Sequence, residues 1–235
     1  MNDDQNDLGQ PVGYPIPDWQ VSPWPPQTPM VGRYCRLEPL NPAAHAQSLY
    51  DAHVKNGDDK YWTYLPYGPY QDFDEYQAWI ADASASEDPQ FFAVIDPKTD
   101  QAVGIASYLR IEPKIGSIEV GHIHFSPLLQ RTPAATEAMF LMMQRAFDEL
   151  GYRRYEWKCD ALNAPSCKAA KRFGFTYEGV FRQHTMYKGR NRDTAWFSII
   201  DTEWAELKQS YIKWLDVANF DENGEQVASL ESMRS

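Results

Sequence analysis

A short stretch between a predicted strand and a predicted helix has the residue types of a phosphate-binding loop. Its sequence is Gln130-Arg131-Thr132-Pro133-Ala134-Ala135-Thr136. The N–H groups in the first turn of a helix lack partners within the helix, and the positive end of the helix dipole adds to their attraction for phosphate. Gln130 and Arg131 add side-chain donors, and the small residues let a ligand approach the backbone. The pattern alone is weak evidence, because every helix has an N-terminus.

A second stretch opens a short helix further along the chain. It contains Asn163-Ala164-Pro165-Ser166, then Arg172-Phe173-Gly174-Phe175, then Glu178-Gly179. Asn163 is typical of a helix N-cap and Gly174 of a helix stop. The two stretches therefore lie at the beginnings of two different helices.

The elements that must position these stretches follow from hydrophobic periodicity and from helix and turn signals. Strands are predicted over 32–40, 91–96, 102–111, 117–125 and 153–161, and a hairpin over 176–201. Helices are predicted over 41–56, 71–84, 132–150, 163–174 and 203–216, and a rigid aromatic loop over 59–70. This order predicts a mixed α/β (α+β) fold with a central, mostly antiparallel sheet flanked by helices.

Both stretches together resemble the GNAT N-acetyltransferase superfamily, and most closely its RimJ/RimL branch, which acetylates the N-termini of ribosomal proteins. The first motif is matched by Gln130, Ala135, Thr136, Glu137 and Ala138, and the second by Asn163, Ser166, Gly174, Phe175, Glu178 and Gly179. Glu119-Val120-Gly121 resembles the family's Glu-Ile-Gly upstream of the loop. The resemblance covers roughly residues 32–201.

The resemblance implies direct transfer of an acetyl group from acetyl-CoA to an amine. It implies that the strand around His122 to Phe125 splays from its neighbour and pairs with the pantetheine arm. The residues it assigns to acetyl-CoA are His124, Phe125, Gln130, Arg131, Thr132, Ala134, Ala135, Thr136, Asn163, Ser166, Lys168 and Arg172. No metal is implied.

The same resemblance implies the catalytic roles. The amine must lose a proton to attack and the thiolate must gain one to leave. Ser166 is expected to donate toward sulfur, and Glu119 or Glu178 to accept the amine proton through water. A backbone N–H of the splayed strand is expected to polarise the acetyl carbonyl. The residues expected to border the acceptor amine are Trp62, Tyr64, Tyr67 and His122.

Each of these residues also has a structural interpretation. Ser166 can simply pack or cap its helix. Glu119 can pair with a nearby arginine, and Glu178 with Arg182. His122 and His124 lie two residues apart, on one face of a predicted strand. Histidines in this arrangement are more often structural or substrate-contacting than metal ligands, and no third ligand accompanies them at metal spacing.

One departure from the family motif keeps a second function open. Arg131 and Pro133 stand where the family has glycines. Proline has no N–H to donate, although it is well accommodated at the first helical position. The alternative is a non-catalytic module of the same fold, which binds acyl-CoA or another protein.

The distribution of charge favours an anionic ligand in spite of the formal net charge of −11. The 12 bases and 6 acids of residues 129–192 make that stretch cationic. The acids dominate in the tails and in 30–128, and the latter excess favours a cationic acceptor. The overall acidity argues against a nucleic-acid partner.

The remaining composition bounds the protein class and its organisation. No apolar run approaches the ~20 residues of a membrane helix, and the three cysteines form no metal or disulfide pattern, so a cytoplasmic protein is expected. Residues 1–29 form a proline- and aromatic-rich arm, 30–216 a single domain and 217–235 an acidic tail. Tyr14, Trp19 and Trp24 of the arm are expected to pack on the body or on a second subunit, so monomer and homodimer both remain open.

Overall fold

A central eight-stranded sheet with helices on both faces organises the chain. The computed structural model describes residues 3–222 and 224–234. The helices are α1 (Pro42–Tyr50), α2 (Phe73–Ala85), α3 (Pro133–Gln144), α4 (Ala164–Arg172) and α5 (Asp201–Trp214). The strands are β1 (Asp3–Gln5), β2 (Pro11–Gly13), β3 (Met30–Val31), β4 (Arg36–Pro39), β5 (Gln90–Asp96), β6 (Gln101–Glu112), β7 (Ser117–Phe125), β8 (Arg154–Asp160), β9 (Thr176–Tyr187) and β10 (Arg190–Ile200).

The sheet has the mixed, mostly antiparallel topology that the sequence predicts. Its strand order is β3-β4-β5-β6-β7-β8-β10-β9, and only β7 and β8 pair in parallel. The strand predicted over 32–40 is shorter than expected, because Gly32 to Cys35 form a loop. The carboxylate of Glu137 on α3 accepts hydrogen bonds from the N–H groups of Arg33, Tyr34 and Cys35, and these bonds replace strand pairing.

The parallel pair separates halfway along its length. Its register runs from Ser117 opposite Arg154 to Val120 opposite Trp157, and the later residues of the two strands are unpaired with each other. β7 also carries a bulge against β6, where His122 has a left-handed backbone with φ +48°. An extra residue in one strand bends it and increases its twist. The bulge therefore accompanies the splay that the family resemblance implies at His122 to Phe125.

Two hydrophobic cores lie on opposite faces of the sheet. One packs α3 and α5 against Val120, Tyr155 and Trp157 and their neighbours. The other packs α1 and α2 against Ala93 and Ile105 on β5 and β6. Because side chains alternate along a strand, Glu119 lies on the second face while its neighbour Val120 lies in the first core. The helices of that second face, α1 and α2, pack on β5 and β6.

The second half of the N-terminal arm packs on its own domain, while residues 4–18 are exposed. Trp19 donates Nε1–H to the carbonyl of Lys114 at 3.0 Å, and Gln90 donates to the carbonyl of Pro25 at 2.9 Å. The arm is expected to be extended, yet β1 and β2 pair as a short antiparallel hairpin, in which Pro11 occupies the end of a strand. Trp24 is 45% exposed.

The C-terminal segment folds back on the domain. Trp214 donates Nε1–H to Gln226 at 2.9 Å, and Ser210 donates its hydroxyl to the carbonyl of Met233 at 3.0 Å. Glu231 reaches the surface of α4. Within the described residues, no helix has both the length and the apolar character needed to cross a membrane.

Candidate functional site

The predicted phosphate loop connects β7 to α3 and has a strained backbone. Arg131 adopts φ +62°, the left-handed region that favours glycine. Thr132 is the N-cap of α3: its hydroxyl accepts from the N–H of Ala135 at 3.3 Å, and Pro133 follows at the first position. Within the described chain the Arg131 side chain makes no hydrogen bond or ion pair, so its guanidinium is available to a ligand. Among the described residues, no side chain accepts a hydrogen bond from the N–H of Ala134.

Two other predicted ligand residues stabilise this loop or its helix. Gln130 donates its amide to the carbonyl of Phe125 at 2.7 Å. Thr136 accepts a hydrogen bond at 3.0 Å from Arg172 of α4. Burial lowers the pKa of the Arg172 guanidinium, which lies 5.1 Å from the ring centre of Trp214. Arg172 therefore joins the first turn of α3 to α4.

The start of α4 presents Ser166 beside the point where β7 and β8 separate. Asn163 caps the helix by accepting from the N–H of Ser166 at 3.1 Å. The Ser166 hydroxyl accepts the indole N–H of Trp157 at 3.0 Å, and Trp157 is the last β8 residue paired with β7. Because the hydroxyl oxygen accepts from Trp157, the Ser166 proton can be donated to a neighbouring sulfur. Burial raises the pKa of the adjacent Cys159 thiol to about 12, and a hydrogen bond with Ser166 opposes that effect.

A cavity of about 480 Å³ lies along the outer side of α4. Its lining residues are Ala161, Ala164, Cys167, Lys168, Lys171, Arg172 and Glu231. The structure thus brings the predicted ligand residues Lys168 and Arg172 to one concave surface. Glu231, from the C-terminal segment, lies outside every motif that the sequence offers.

Glu119 is buried, with 3% of its side chain exposed, and lies between two cations. Its Oε2 atom is 2.8 Å from a guanidinium nitrogen of Arg110 and 2.9 Å from Nζ of Lys158. Burial raises the pKa of Glu119, and the two cations oppose the rise. Lys158 also lies 2.6 Å from Glu156 and 3.9 Å from the ring centre of Trp196. The pairing of Glu119 with a nearby arginine is therefore confirmed, although the sequence did not identify Arg110. Lys158 was not expected, because it belongs to no motif.

Glu178 lies in a separate set of contacts. Its two carboxylate oxygens accept from Arg154 at 2.8 and 2.6 Å, and one also accepts the Ser198 hydroxyl at 2.7 Å. The arginine holds the pKa of Glu178 below its usual range. Of the described contacts, none joins Glu178 to Ser166 or Glu119. The ion pair that Glu178 forms is with Arg154 rather than Arg182.

The aromatic loop is partly core and partly a wall beside β7. Trp62 is 1% exposed and packs edge-on against His124 at 4.2 Å. Tyr67 lies parallel to His122, and its hydroxyl is 3.2 Å from His122 Nδ1. Burial lowers the pKa of His122 to about 4 and that of His124 to about 3, so both rings are neutral at pH 7. His124 stacks on His53 of the segment after α1, so any contact of this residue with a cofactor would come through its backbone.

The β9–β10 hairpin reaches across to the same loop. Lys188 in its turn donates to the carbonyl of Trp62 at 2.7 Å, and Tyr64 donates its hydroxyl to the carbonyl of Leu162 at 3.1 Å. The hairpin and the loop therefore border the sheet surface that carries Arg110, Glu119, Lys158, Arg192 and Trp196. We call this surface the Glu119 face. No group of three or more potential metal ligands is present among the described residues.

Comparisons with known proteins agree with this arrangement. Residues 35–176 match the family model for the acetyltransferase (GNAT) domain. A GCN5-related N-acetyltransferase structure from Brucella melitensis is 49% identical, covers 93% of this chain and 99% of its own, and superposes with a TM-score of 0.91. A GNAT-family structure from Chromobacterium violaceum is 42% identical over 83% of this chain and 98% of its own, with a TM-score of 0.77. The uncharacterized N-acetyltransferase p20 of Bacillus licheniformis is 27% identical over 62% of this chain and 82% of its own length. The chain therefore belongs to the GNAT acetyltransferase family.

Proposed function

We propose that this protein transfers the acetyl group of acetyl-CoA directly to an amine, on a small molecule or on a peptide N-terminus. The observation that supports this most is the arrangement of two proton-transfer groups around the opening between β7 and β8. Ser166 is bonded to Trp157 on the face packed by α3, while Glu119 lies on the opposite face. Acetyl-CoA approaching from the α3 side and an amine approaching from the Glu119 face would meet at the opening.

The residues around the phosphate loop suit acetyl-CoA. The unpaired guanidinium of Arg131 is a donor for a phosphate oxygen, in place of the N–H that Pro133 lacks. Ser126, at the start of the loop, is 1% exposed, and its hydroxyl has no partner among the described residues. A buried hydroxyl without a partner is costly, and a bound ligand would satisfy it. Lys168 and Arg172 would favour the nucleotide phosphates electrostatically.

Acetyl-CoA, when bound, supplies the acetyl group as a thioester. The Ser166 hydroxyl donates its proton to the departing sulfur, while the Trp157 indole holds the oxygen in place. Glu119 takes up, through water, the proton that the amine loses on attack. Arg110 and Lys158 oppose the effect of burial on the pKa of this carboxylate, and they fix its orientation.

The experiment is an assay of CoA thiol release with a panel of amines, combined with calorimetry of acetyl-CoA binding. Ser166→Ala and Glu119→Gln are the test variants, and Ser232→Ala, at an exposed position of the C-terminal segment, is the control. Turnover that falls in both test variants but not in the control supports the proposal. Binding of acetyl-CoA without turnover of any amine would favour the non-catalytic module that Pro133 suggests.

Three finer features belong to the same proposal. The motif residues favour a RimJ/RimL-like acceptor, namely a peptide N-terminus. The sparse cysteines favour activity in the cytoplasm. The division into an arm (1–29), a catalytic domain (30–216) and a tail (217–235) predicts that removal of the arm would leave acetyl-CoA binding intact.

A further inference from the structure

Arg192 differs from the other cations of the Glu119 face in its partners. Arg110 and Lys158 each lie within 2.9 Å of Glu119. Arg192 is half-buried on β10, donates Nε–H to the hydroxyl of Thr194 at 3.1 Å, and lies 5.8 Å from the ring centre of Tyr187. Among the described residues no carboxylate forms an ion pair with it. A guanidinium has five N–H donors, so most of its hydrogen-bonding capacity is unused.

The acids nearest to Arg192 along the strands are already engaged by other donors. Asp160, opposite Thr194 in the sheet, accepts from the Tyr187 hydroxyl and from the N–H of Leu162, both at 2.8 Å. Asp193 accepts from the N–H of Gln183 at 2.8 Å and from the amide of Asn191 at 2.9 Å. Neither carboxylate forms an ion pair with Arg192, so the guanidinium keeps N–H donors for a further carboxylate.

Arg192 affects the pKa of groups on three neighbouring strands. His122 on β7 and His184 on β9 both have lowered pKa values, chiefly through burial, and Arg192 and Arg110 lower both further. Against the larger effect of burial, Arg192 also lowers the pKa of the Cys159 thiol, which is in contact with Ser166. Arg192 precedes Thr194, which pairs with Asp160 at the end of β8, so it lies at the end of the sheet where β7 and β8 have already separated.

We propose that Arg192 binds a carboxylate of the acceptor, so that the substrates of this enzyme are amines that also carry a carboxylate. The inference rests on the proposed acetyltransferase function and specifies its substrate class. A planar guanidinium pairs with a carboxylate through two parallel hydrogen bonds, which also orients the attached amine. The acids of segment 30–128 led us to expect a cationic acceptor. The structure shows that Glu119, the acid of that segment on this face, is neutralised by Arg110 and Lys158.

Matched acceptors that differ only in a carboxylate test this proposal. For free amino acids, the pairs are L-phenylalanine with L-phenylalaninamide, and L-glutamate with L-glutamine. For peptides, the pair is an amidated tripeptide with glutamate or glutamine at its second position. The assay is CoA release at saturating acetyl-CoA, and the two sets distinguish a free amino acid from an acidic peptide N-terminus.

We expect at least one pair to show a higher kcat/KM for the more anionic member. Arg192→Gln should raise the KM for that member by about 10- to 100-fold, the value of a charged hydrogen bond, while the less anionic member changes little. Arg192→Lys should retain part of the preference. Arg190→Gln, an exposed cation two residues away on the same strand, should retain all of it.

A wild-type preference for the amide or glutamine members, or an Arg192→Gln variant that keeps the preference, would overturn the inference without touching the proposed function. If no member is acetylated, binding of the same pairs to the protein saturated with acetyl-CoA is measured by thermal shift. Stronger binding of the anionic members, lost in Arg192→Gln, supports the inference, and equal binding overturns it. Failure to bind acetyl-CoA at all would refute the proposed function instead.

Discussion

Replacing Arg131 by glycine should raise stability and weaken acetyl-CoA binding at the same time. Arg131 has φ +62°, a conformation that destabilises the folded state by about 1–2 kcal/mol for a residue with a side chain, relative to glycine. The greater conformational freedom of glycine in the unfolded chain offsets about 0.4–1 kcal/mol of this stabilisation. The net gain in free energy of unfolding is therefore about 0.5–1 kcal/mol. For a chain of this length it raises Tm by about 1–4 °C.

The same substitution removes the free guanidinium that we assign to a phosphate of acetyl-CoA. A charge-assisted hydrogen bond contributes about 1.5–3 kcal/mol, so the Kd for acetyl-CoA should rise by about 10- to 150-fold. Thermal unfolding of the free protein and calorimetric titration with acetyl-CoA measure the two effects separately. Arg131→Lys is the matched control: it keeps the charge and the strained backbone, so Tm should not change and most of the affinity should remain.

One result would refute this reasoning directly. If Arg131→Gly binds acetyl-CoA as tightly as the wild type, the guanidinium does not contact the ligand. Tighter binding would show that closer backbone approach, not the arginine, controls affinity at this loop. A fall in Tm would contradict the assignment of strain to Arg131.

Three further predictions concern the two proton-transfer groups and Glu137, whose carboxylate joins α3 to the loop of residues 32–35. Ser166→Ala should lower kcat by at least about 100-fold, as expected for loss of a general acid, with the calorimetric Kd for acetyl-CoA unchanged; an unchanged kcat would leave Ser166 a packing residue. The pKa of Glu119 is raised above 4.5, so the carboxylate is protonated, and lost as a base, when the pH falls below that raised pKa. The kcat/KM of the wild type should therefore fall on the acidic side at a pH above 4.5, and this fall should be absent in Glu119→Gln. Glu137→Gln should lower stability by about 1.5–3 kcal/mol, because its carboxylate accepts three backbone N–H groups. Thermal unfolding checks this against the exposed control Glu112→Gln, and equal Tm values would contradict it.

Local signals in the sequence predicted the parts of the fold that depend on neighbouring residues. Thr132 with Pro133, and Asn163 with Gly174, delimit α3 and α4 because caps and stops act within one helical turn. Alternating apolar residues identified the central strands for the same reason. The separation of β7 from β8 beyond Val120 agrees with the splay that the family resemblance implies.

The contacts of the site could not be predicted in the same way, because they join residues far apart in sequence. Arg110 and Lys158 reach Glu119 from two different strands, so no spacing rule relates them. Arg154 pairs with Glu178 across the sheet in place of the helix-like spacing to Arg182. The sequence motifs therefore predict which residues matter, whereas the tertiary structure decides which charges remain unpaired.

Charge illustrates the same difference between sequence and structure. The excess of bases in residues 129–192 suggested an anionic ligand near α3 and α4. In the structure Arg154 and Lys158 are engaged by carboxylates, while Arg131 and Arg192 are not. Arg131 thus lies on the proposed cofactor side of the site and Arg192 on the proposed acceptor side.

Titration of the purified protein with acetyl-CoA, followed by thermal unfolding, tests the central claim most directly. A ligand at 100 times its Kd stabilises the folded state by about 2.7 kcal/mol, which corresponds to a rise in Tm of about 5–11 °C. We predict a saturable rise of this size, reduced in Arg131→Gly at the same acetyl-CoA concentration. A Tm that does not respond to millimolar acetyl-CoA, in a protein that unfolds cooperatively without it, would contradict the account.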